Sequence, residues 1–82
     1  MKAKRRIESA APVLASPRVS IMGRARVTVE AHRGINEFSP GEVRVRLSDG
    51  CLIIAGAGLS VDRMSESSLA VSGSIASVAF VE

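Results

Sequence analysis

The only histidine of the sequence, His32, is the first residue to consider for acid–base or metal chemistry. Two carboxylates, Glu30 and Glu37, lie close to it in the chain, and Glu30 shares a strand face with His32 if that strand continues far enough. A protein metal site needs three or four such ligands, and the sequence offers no third one nearby. We therefore expect a structural or surface histidine, and neither a metal site nor a catalytic base.

The single cysteine, Cys51, is the second candidate for chemistry, as a nucleophile. A reactive thiol needs an adjacent base and an electropositive setting, and nothing in the surrounding sequence predicts either one. A lone cysteine also excludes an intramolecular disulfide, which fits a reducing compartment. We expect Cys51 to be buried as a small hydrophobic residue.

A glycine-punctuated stretch, Leu52–Gly58, looks like the first turn of a dinucleotide-binding motif. That motif needs a third glycine near Val61 and a helix after it, and the sequence has neither. The glycines are better explained by a β-turn or a bulge. We therefore predict no cofactor and no enzymatic activity.

Arginines recur in two pairs spaced by two residues, which places each pair on the solvent side of a strand. If the two strands are neighbours, four guanidinium groups share one surface that suits anionic lipid headgroups, acidic protein or nucleic acid. Nucleic acid is disfavoured, because no aromatic residue is interleaved for base stacking. The alternative is ordinary charge that protects strand edges and keeps the chain soluble. Next to these strands, the strand pattern is interrupted at His32-Arg33-Gly34, and we include two residues of this interruption. The candidate interaction patch is Arg24, Arg26, Arg44, Arg46, His32 and Arg33.

Period-two alternation of apolar and polar residues predicts the strands that carry these side chains. Pro40-Gly41 predicts a type II turn, and Asp49-Gly50 predicts a two-residue hairpin loop of type I′. The apolar run after Gly50 predicts a central strand that is covered on both faces. The predicted strands are 18–22, 24–31, 35–39, 42–48, 51–55, a strand beginning at 59, 69–71 and 75–81.

Short strands with regular turn signals predict a small all-β domain: an antiparallel sandwich or roll of about seven strands, with a short β-solenoid as the alternative. The 82 residues suffice for one domain, which we place at 18–82, after a flexible, basic, Ala/Pro-rich tail at 1–17. Aromatic residues make up only 2% of the sequence. Since large buried anchors are scarce, the domain needs a partner or a second copy for stability.

Charge is unevenly distributed along the chain. The formal net charge is +3, yet all but one of the 11 basic residues lie before residue 47, whereas half of the 8 acidic residues follow it. This asymmetry is typical either of head-to-tail or polar partner contacts or of a solvated surface with a basic tail. No stretch is apolar enough to predict a transmembrane segment or a cleaved signal peptide.

Several segments, in order and at characteristic spacing, resemble the YqfC branch of the YabP/YqfC sporulation family. The resemblance covers about residues 17–82, and the His-Arg-Gly-Ile and Glu-Phe-Ser-Pro elements are its most specific parts. The N-terminal region is shorter and richer in alanine than the family's usual amphipathic lead-in. The segments that carry the resemblance are 17–23, 29–35, 37–40, 43–45, 50–56 followed by Leu59, and 71–75.

The resemblance implies a non-enzymatic protein with a structural or adaptor role in spore envelope (cortex or coat) development. It further implies protein–protein contacts, with a sporulation membrane protein as partner, and a cytoplasmic, membrane-peripheral position on the mother-cell side of the developing spore. Strand edges also permit self-association. The alternative from another class is a small nucleic-acid-binding β-domain.

Overall fold

The computed structural model describes residues 16–82, and within that range the chain forms six β-strands and no helix. The all-β prediction is confirmed. The predicted tail lies outside the described residues except for its last two positions, Ser16 and Pro17. The strands are β1 (Arg18–Met22), β2 (Arg26–Glu30), β3 (Ile35–Ser39), β4 (Glu42–Leu47), β5 (Gly50–Met64) and β6 (Ser68–Val81).

All six strands join one antiparallel sheet in the order β1-β2-β6-β5-β4-β3. β3 to β6 form a meander, and a crossover from β2 to β3 lets β2 pair with β6, so the fold is not a solenoid. The long β5–β6 hairpin runs through the whole sheet, and its two ends have different neighbours. The first half of the sheet comprises β1, β2, and the segments 60–64 of β5 and 68–72 of β6. The second half comprises β3, β4, and the segments 50–55 of β5 and 77–81 of β6.

One hydrophobic core joins the two halves of the sheet. Alternate side chains of β2, β4, β5 and β6 are buried, and the residues of both halves form a single cluster. The sheet therefore bends over on itself into a roll, without closing into a barrel, and each half contributes one layer. Complete burial of each Val, Leu or Ile side chain contributes about 1.5–3 kcal/mol. The fully buried members are Val27, Val29, Val43, Val45, Leu52, Ile54 and Val71.

Glycines lie at the bend of the long hairpin, where the pairing of β5 with β6 shifts register. Gly58 has a φ of 60°, and a Cβ atom at Gly56 would lie 2.0 Å from the Ser74 carbonyl oxygen. The glycines thus form a bulged bend, in agreement with the prediction that they belong to a turn or a bulge and not to a dinucleotide-binding motif. Because the chain continues through the bend, predicted strands that were separated by glycine merge into β5 and β6, which leaves six strands where about seven were predicted.

The two predicted tight turns are present, with one correction each. Pro40-Gly41 connects β3 to β4, but Gly41 lacks the positive φ that a type II turn requires. The β4–β5 hairpin turns at Ser48-Asp49, one residue earlier than predicted, because Gly50 already pairs with the last residue of β4.

Candidate interaction surface

Arg26 lies exposed at the start of β2, on the outer surface of the first half. Its Nη2 atom lies 3.3 Å from Oδ2 of Asp62, and the two form an ion pair. Asp62 also accepts hydrogen bonds from the hydroxyl groups of Ser72 and Ser60. The bond from Ser72, with help from Ser60 and Arg26, lowers the pKa of Asp62 below its ordinary value. The charge of Arg26 is therefore largely compensated within the chain.

Arg44 lies on β4, on the outer surface of the second half, and is also paired with carboxylates. Its Nε atom lies 2.5 Å from Oε2 of Glu42 and 3.3 Å from Oε1 of Glu37. The hydrogen bond to Glu42, together with the charges of Glu42 and Glu37, raises the pKa of Arg44. With two carboxylates around one guanidinium, this cluster carries a net negative charge and presents no free cation to a partner.

The structure does not bring the two arginine pairs together. β2 and β4 are separated in the sheet by β6 and β5, so the condition for a single four-guanidinium patch, adjacent strands, is not met. The outer surfaces that carry Arg26 and Arg44 face away from each other across the core. Arg24 lies in the turn between β1 and β2, where its carbonyl oxygen accepts a hydrogen bond from the amide of Ile75 at 2.8 Å.

His32 is a buried structural residue, in keeping with the interpretation preferred from the sequence. It is 6% exposed, and its Nδ1 accepts the Gly34 amide at 2.9 Å, while Nε2 lies 3.1 Å from the Ser65 carbonyl oxygen. These partners fit one neutral tautomer, with the proton on Nε2 donated to Ser65. β2 ends at Glu30, and Ala31 turns the chain with a φ of 65°, so Glu30 and His32 do not share a strand face.

Arg33 and Arg46 are brought together by the break that follows β2. The Arg33 amide donates to the Arg46 carbonyl at 2.8 Å, and the Arg46 amide donates to the Gly34 carbonyl at 2.8 Å. Both side chains are exposed, and neither forms an ion pair within residues 16–82. Of the predicted patch, this pair therefore keeps its charge available.

Next to this pair lies a surface that we call the apolar outer face. The sheet register continues Arg46 to Cys51 and Val81 in one row, and Arg44 to Ile53 and Ala79 in the next. The β5 members of the face are half-buried, Val81 is 44% exposed, and no described strand packs over them. The predicted coverage of this strand on both faces is thus wrong. The apolar outer face is Cys51, Ile53, Ala55, Ala79 and Val81.

Both aromatic residues of the chain are also exposed, which the sequence reasoning missed. Phe38 is 49% exposed on β3 and Phe80 is 68% exposed on β6, while the core is built from aliphatic side chains. Each ring occupies the core-facing side of an outermost strand of the second half. The available signal was their position beside the turn at Pro40 and in β6, on strands that lie at the margins of the second half.

Within the described part of the chain, no three His, Cys, Asp or Glu side chains converge as metal ligands would. The same residues contain no helix that could cross a membrane.

Two comparisons place the chain among known proteins. The model of the YabP family matches residues 14–82. The chain is 35% identical over 66 residues to the uncharacterized protein YqfC of Bacillus subtilis (strain 168), a match that spans 80% of this chain and 71% of that protein. The chain therefore belongs to the YabP/YqfC family, which is associated with sporulation.

Proposed function

We propose that the protein is a non-enzymatic adaptor in the development of the spore cortex or coat, working through protein–protein contacts. The observation that carries this proposal is the apolar outer face with arginines along one side. An apolar centre with a polar, arginine-containing rim is the usual anatomy of a protein interface. Such a face, left open on a small domain, favours a docking role over a solubilising one.

The partner is a sporulation membrane protein that offers an acidic segment beside an apolar one. Arg33 and Arg46 supply the uncompensated charge that recognises the acidic segment, and Ile53 lies at the centre of the apolar contact. Docking of this kind holds the protein at the membrane from the cytoplasmic, mother-cell side. The family's association with sporulation supports the cellular setting.

The non-enzymatic part of the proposal is supported by what the ionisable groups do. Both ring nitrogens of His32 are occupied by main-chain groups, so no nitrogen is free to move a substrate proton. Asp62 and Arg44, the groups whose pKa shifts are resolved, are exposed and engaged in ion pairs. Both shifts have an ordinary structural cause.

The experiment is affinity capture of the tagged full chain from sporulating cells, with one variant and one matched control. Ile53→Glu places a charge in the apolar outer face, whereas Thr28→Glu places it on the half-buried outer surface of the first half. We expect Ile53→Glu to lose the membrane protein and Thr28→Glu to retain it, with both variants folded by circular dichroism. Equal capture by both variants, or no membrane protein captured by the unmodified chain, contradicts the proposal.

The nucleic-acid alternative is disfavoured by the dispersal of the arginines over opposite surfaces and by the pairing of Arg26 and Arg44 with carboxylates. Binding that weakens steeply across a salt series in a gel-shift assay would replace the adaptor proposal with this one.

A further inference from the structure

The roll leaves four strand edges without a neighbour among the described residues. In the first half they belong to β1 and to the segment 60–64 of β5, and in the second half to β3 and to the segment 77–81 of β6. An open edge presents unpaired amide and carbonyl groups, which is a template for another strand. Natural proteins suppress such pairing with charges and bulges, so an edge that lacks both is informative.

Three of the four edges carry these protections. β1 begins with the exposed Arg18, and β3 carries Glu37 together with a register shift against β4. The outer segment of β5 carries Asp62 and Arg63, with a register shift between Val61 and Arg63. A second strand at any of these edges would meet a charge or an irregular backbone.

The edge of β6 carries no charge, and its register shift falls at Ala76, before the regularly paired segment Ser77–Val81. From Ser74 to Val81 it has no charged residue and no proline, and from Ser77 to Val81 it pairs with β5 without a register shift. The amide of Ile75 is already used by the Arg24 carbonyl, which leaves Ala76–Val81 as the open stretch. Its regular part, Ser77–Val81, offers roughly 17 Å of edge at about 3.3 Å per residue, the length of a short strand.

We propose that the Ala76–Val81 edge pairs with the same edge of a second copy of this chain, antiparallel and about a two-fold axis. The unpaired backbone groups specify a strand as the occupant, and a neutral edge offers no attraction to a charged partner strand. Two copies of a neutral edge meet without like-charge repulsion, and two-fold symmetry lets the same segment serve both sides.

Pairing of this kind also explains the exposure of Phe80. The four strands of the second half become eight in one continuous sheet, and the neighbouring copy's strand lies beside the ring that is 68% exposed in the single chain. This inference stands apart from the proposed adaptor role, because it uses the edge of the sheet and leaves the apolar outer face open.

Ser77→Lys tests the proposal, with Ser20→Lys as the matched control. Both serines are exposed on edge strands and point to the outer side of the sheet, so the same change is made at the proposed edge and at the edge of β1. The mass of the purified full chain is measured by sedimentation equilibrium over a range of concentrations. Far-UV circular dichroism checks that both variants fold.

We expect the unmodified chain and Ser20→Lys to have twice the mass of one chain, and Ser77→Lys to weaken the dimer by about tenfold or more, since it places a charge on the paired edge beside the other copy's apolar strand. Amide hydrogen exchange in Ala76–Val81 should speed up in Ser77→Lys alone. A monomeric unmodified chain, or an assembly that both lysines weaken equally or neither affects, overturns the proposal.

Discussion

Replacing Gly56 by alanine is expected to damage the bend of the long hairpin, and the size of the effect follows from the structure. A Cβ atom at this position would lie 2.0 Å from the Ser74 carbonyl oxygen. Carbon and carbonyl oxygen approach each other in proteins to about 3.3 Å, so β5 and β6 must separate by roughly 1.3 Å. The obstacle is main chain on both sides, and no side-chain rotation relieves it.

The separation disrupts the backbone pairing of β5 with β6 around Gly56 and Ile75, and Ile75 is 5% exposed. Two or three lost backbone hydrogen bonds cost about 1 kcal/mol each. Alanine restricts the unfolded chain and returns about 0.4–1 kcal/mol. The expected net decrease in the free energy of unfolding is therefore about 1–2.5 kcal/mol.

Gly58→Ala is the matched control two residues away. A Cβ atom there meets no atom within 4 Å, and the cost comes from its φ of 60° alone. That conformational cost is about 1–2 kcal/mol. Alanine again restricts the unfolded chain and offsets part of this cost, so the free energy of unfolding should fall by about 1 kcal/mol.

Urea unfolding followed by far-UV circular dichroism measures both variants, since the chain has no Trp or Tyr for fluorescence. The midpoint should fall further for Gly56→Ala than for Gly58→Ala, and failure of Gly56→Ala to fold is the extreme of the same result. Equal midpoints, or the reverse order, would refute the close-approach argument.

Three further outcomes can be measured with the same unfolding assay. His32→Ala should lower the free energy of unfolding by about 1–3 kcal/mol, because it leaves two main-chain groups without their partner, and a change below 0.5 kcal/mol would contradict that role. Leu52→Ala should lower the free energy of unfolding by about 2–5 kcal/mol. Phe80→Ala, at the cross-strand neighbour of Leu52, should change it by no more than about 0.5 kcal/mol in dilute monomer. Similar losses in the two variants would contradict the assigned burial. The pKa of Asp62 is lowered in the folded state. The ionised carboxylate therefore stabilises the fold at pH values above the ordinary carboxyl pKa, and this stabilisation is lost as pH falls through the lowered pKa. Asp62→Asn should flatten the decline of stability in acid, and an unchanged pH profile would contradict this.

Local sequence patterns predicted the individual strands well. The bounds of β1 and β3 match the alternation of Val19 with Ile21 and the stop at Pro40, because side-chain alternation and turn chemistry are local properties. The glycines of the bend were misread as strand ends, since a bulge and a turn use the same residue types. Whether the chain stops or continues there is decided by the partner strand and not by the glycines.

Strand order, by contrast, has no local signature. The expected meeting of Arg26 with Arg44 depended on β2 and β4 being neighbours, and periodicity assigns a residue to a face without naming the strand beside it. The partner of His32 is likewise distant, since Ser65 lies 33 residues further along the chain. The sequence could not distinguish partial burial of Ile53 from full burial, because a continuous apolar run is compatible with both.

Both halves of the sheet share the long β5–β6 hairpin, and this determines when each strand can pair during synthesis. Val27 of β2 lies beside Val71 of β6 in the sheet, so the β1–β2 pair leaves the ribosome about 40 residues before the strand that pairs with β2. At about 5–20 residues per second, those strands wait for seconds with their valines exposed to solvent. Neither half can be completed early, because each needs segments of both β5 and β6. The two halves can therefore be completed only late, after both β5 and β6 have been synthesised.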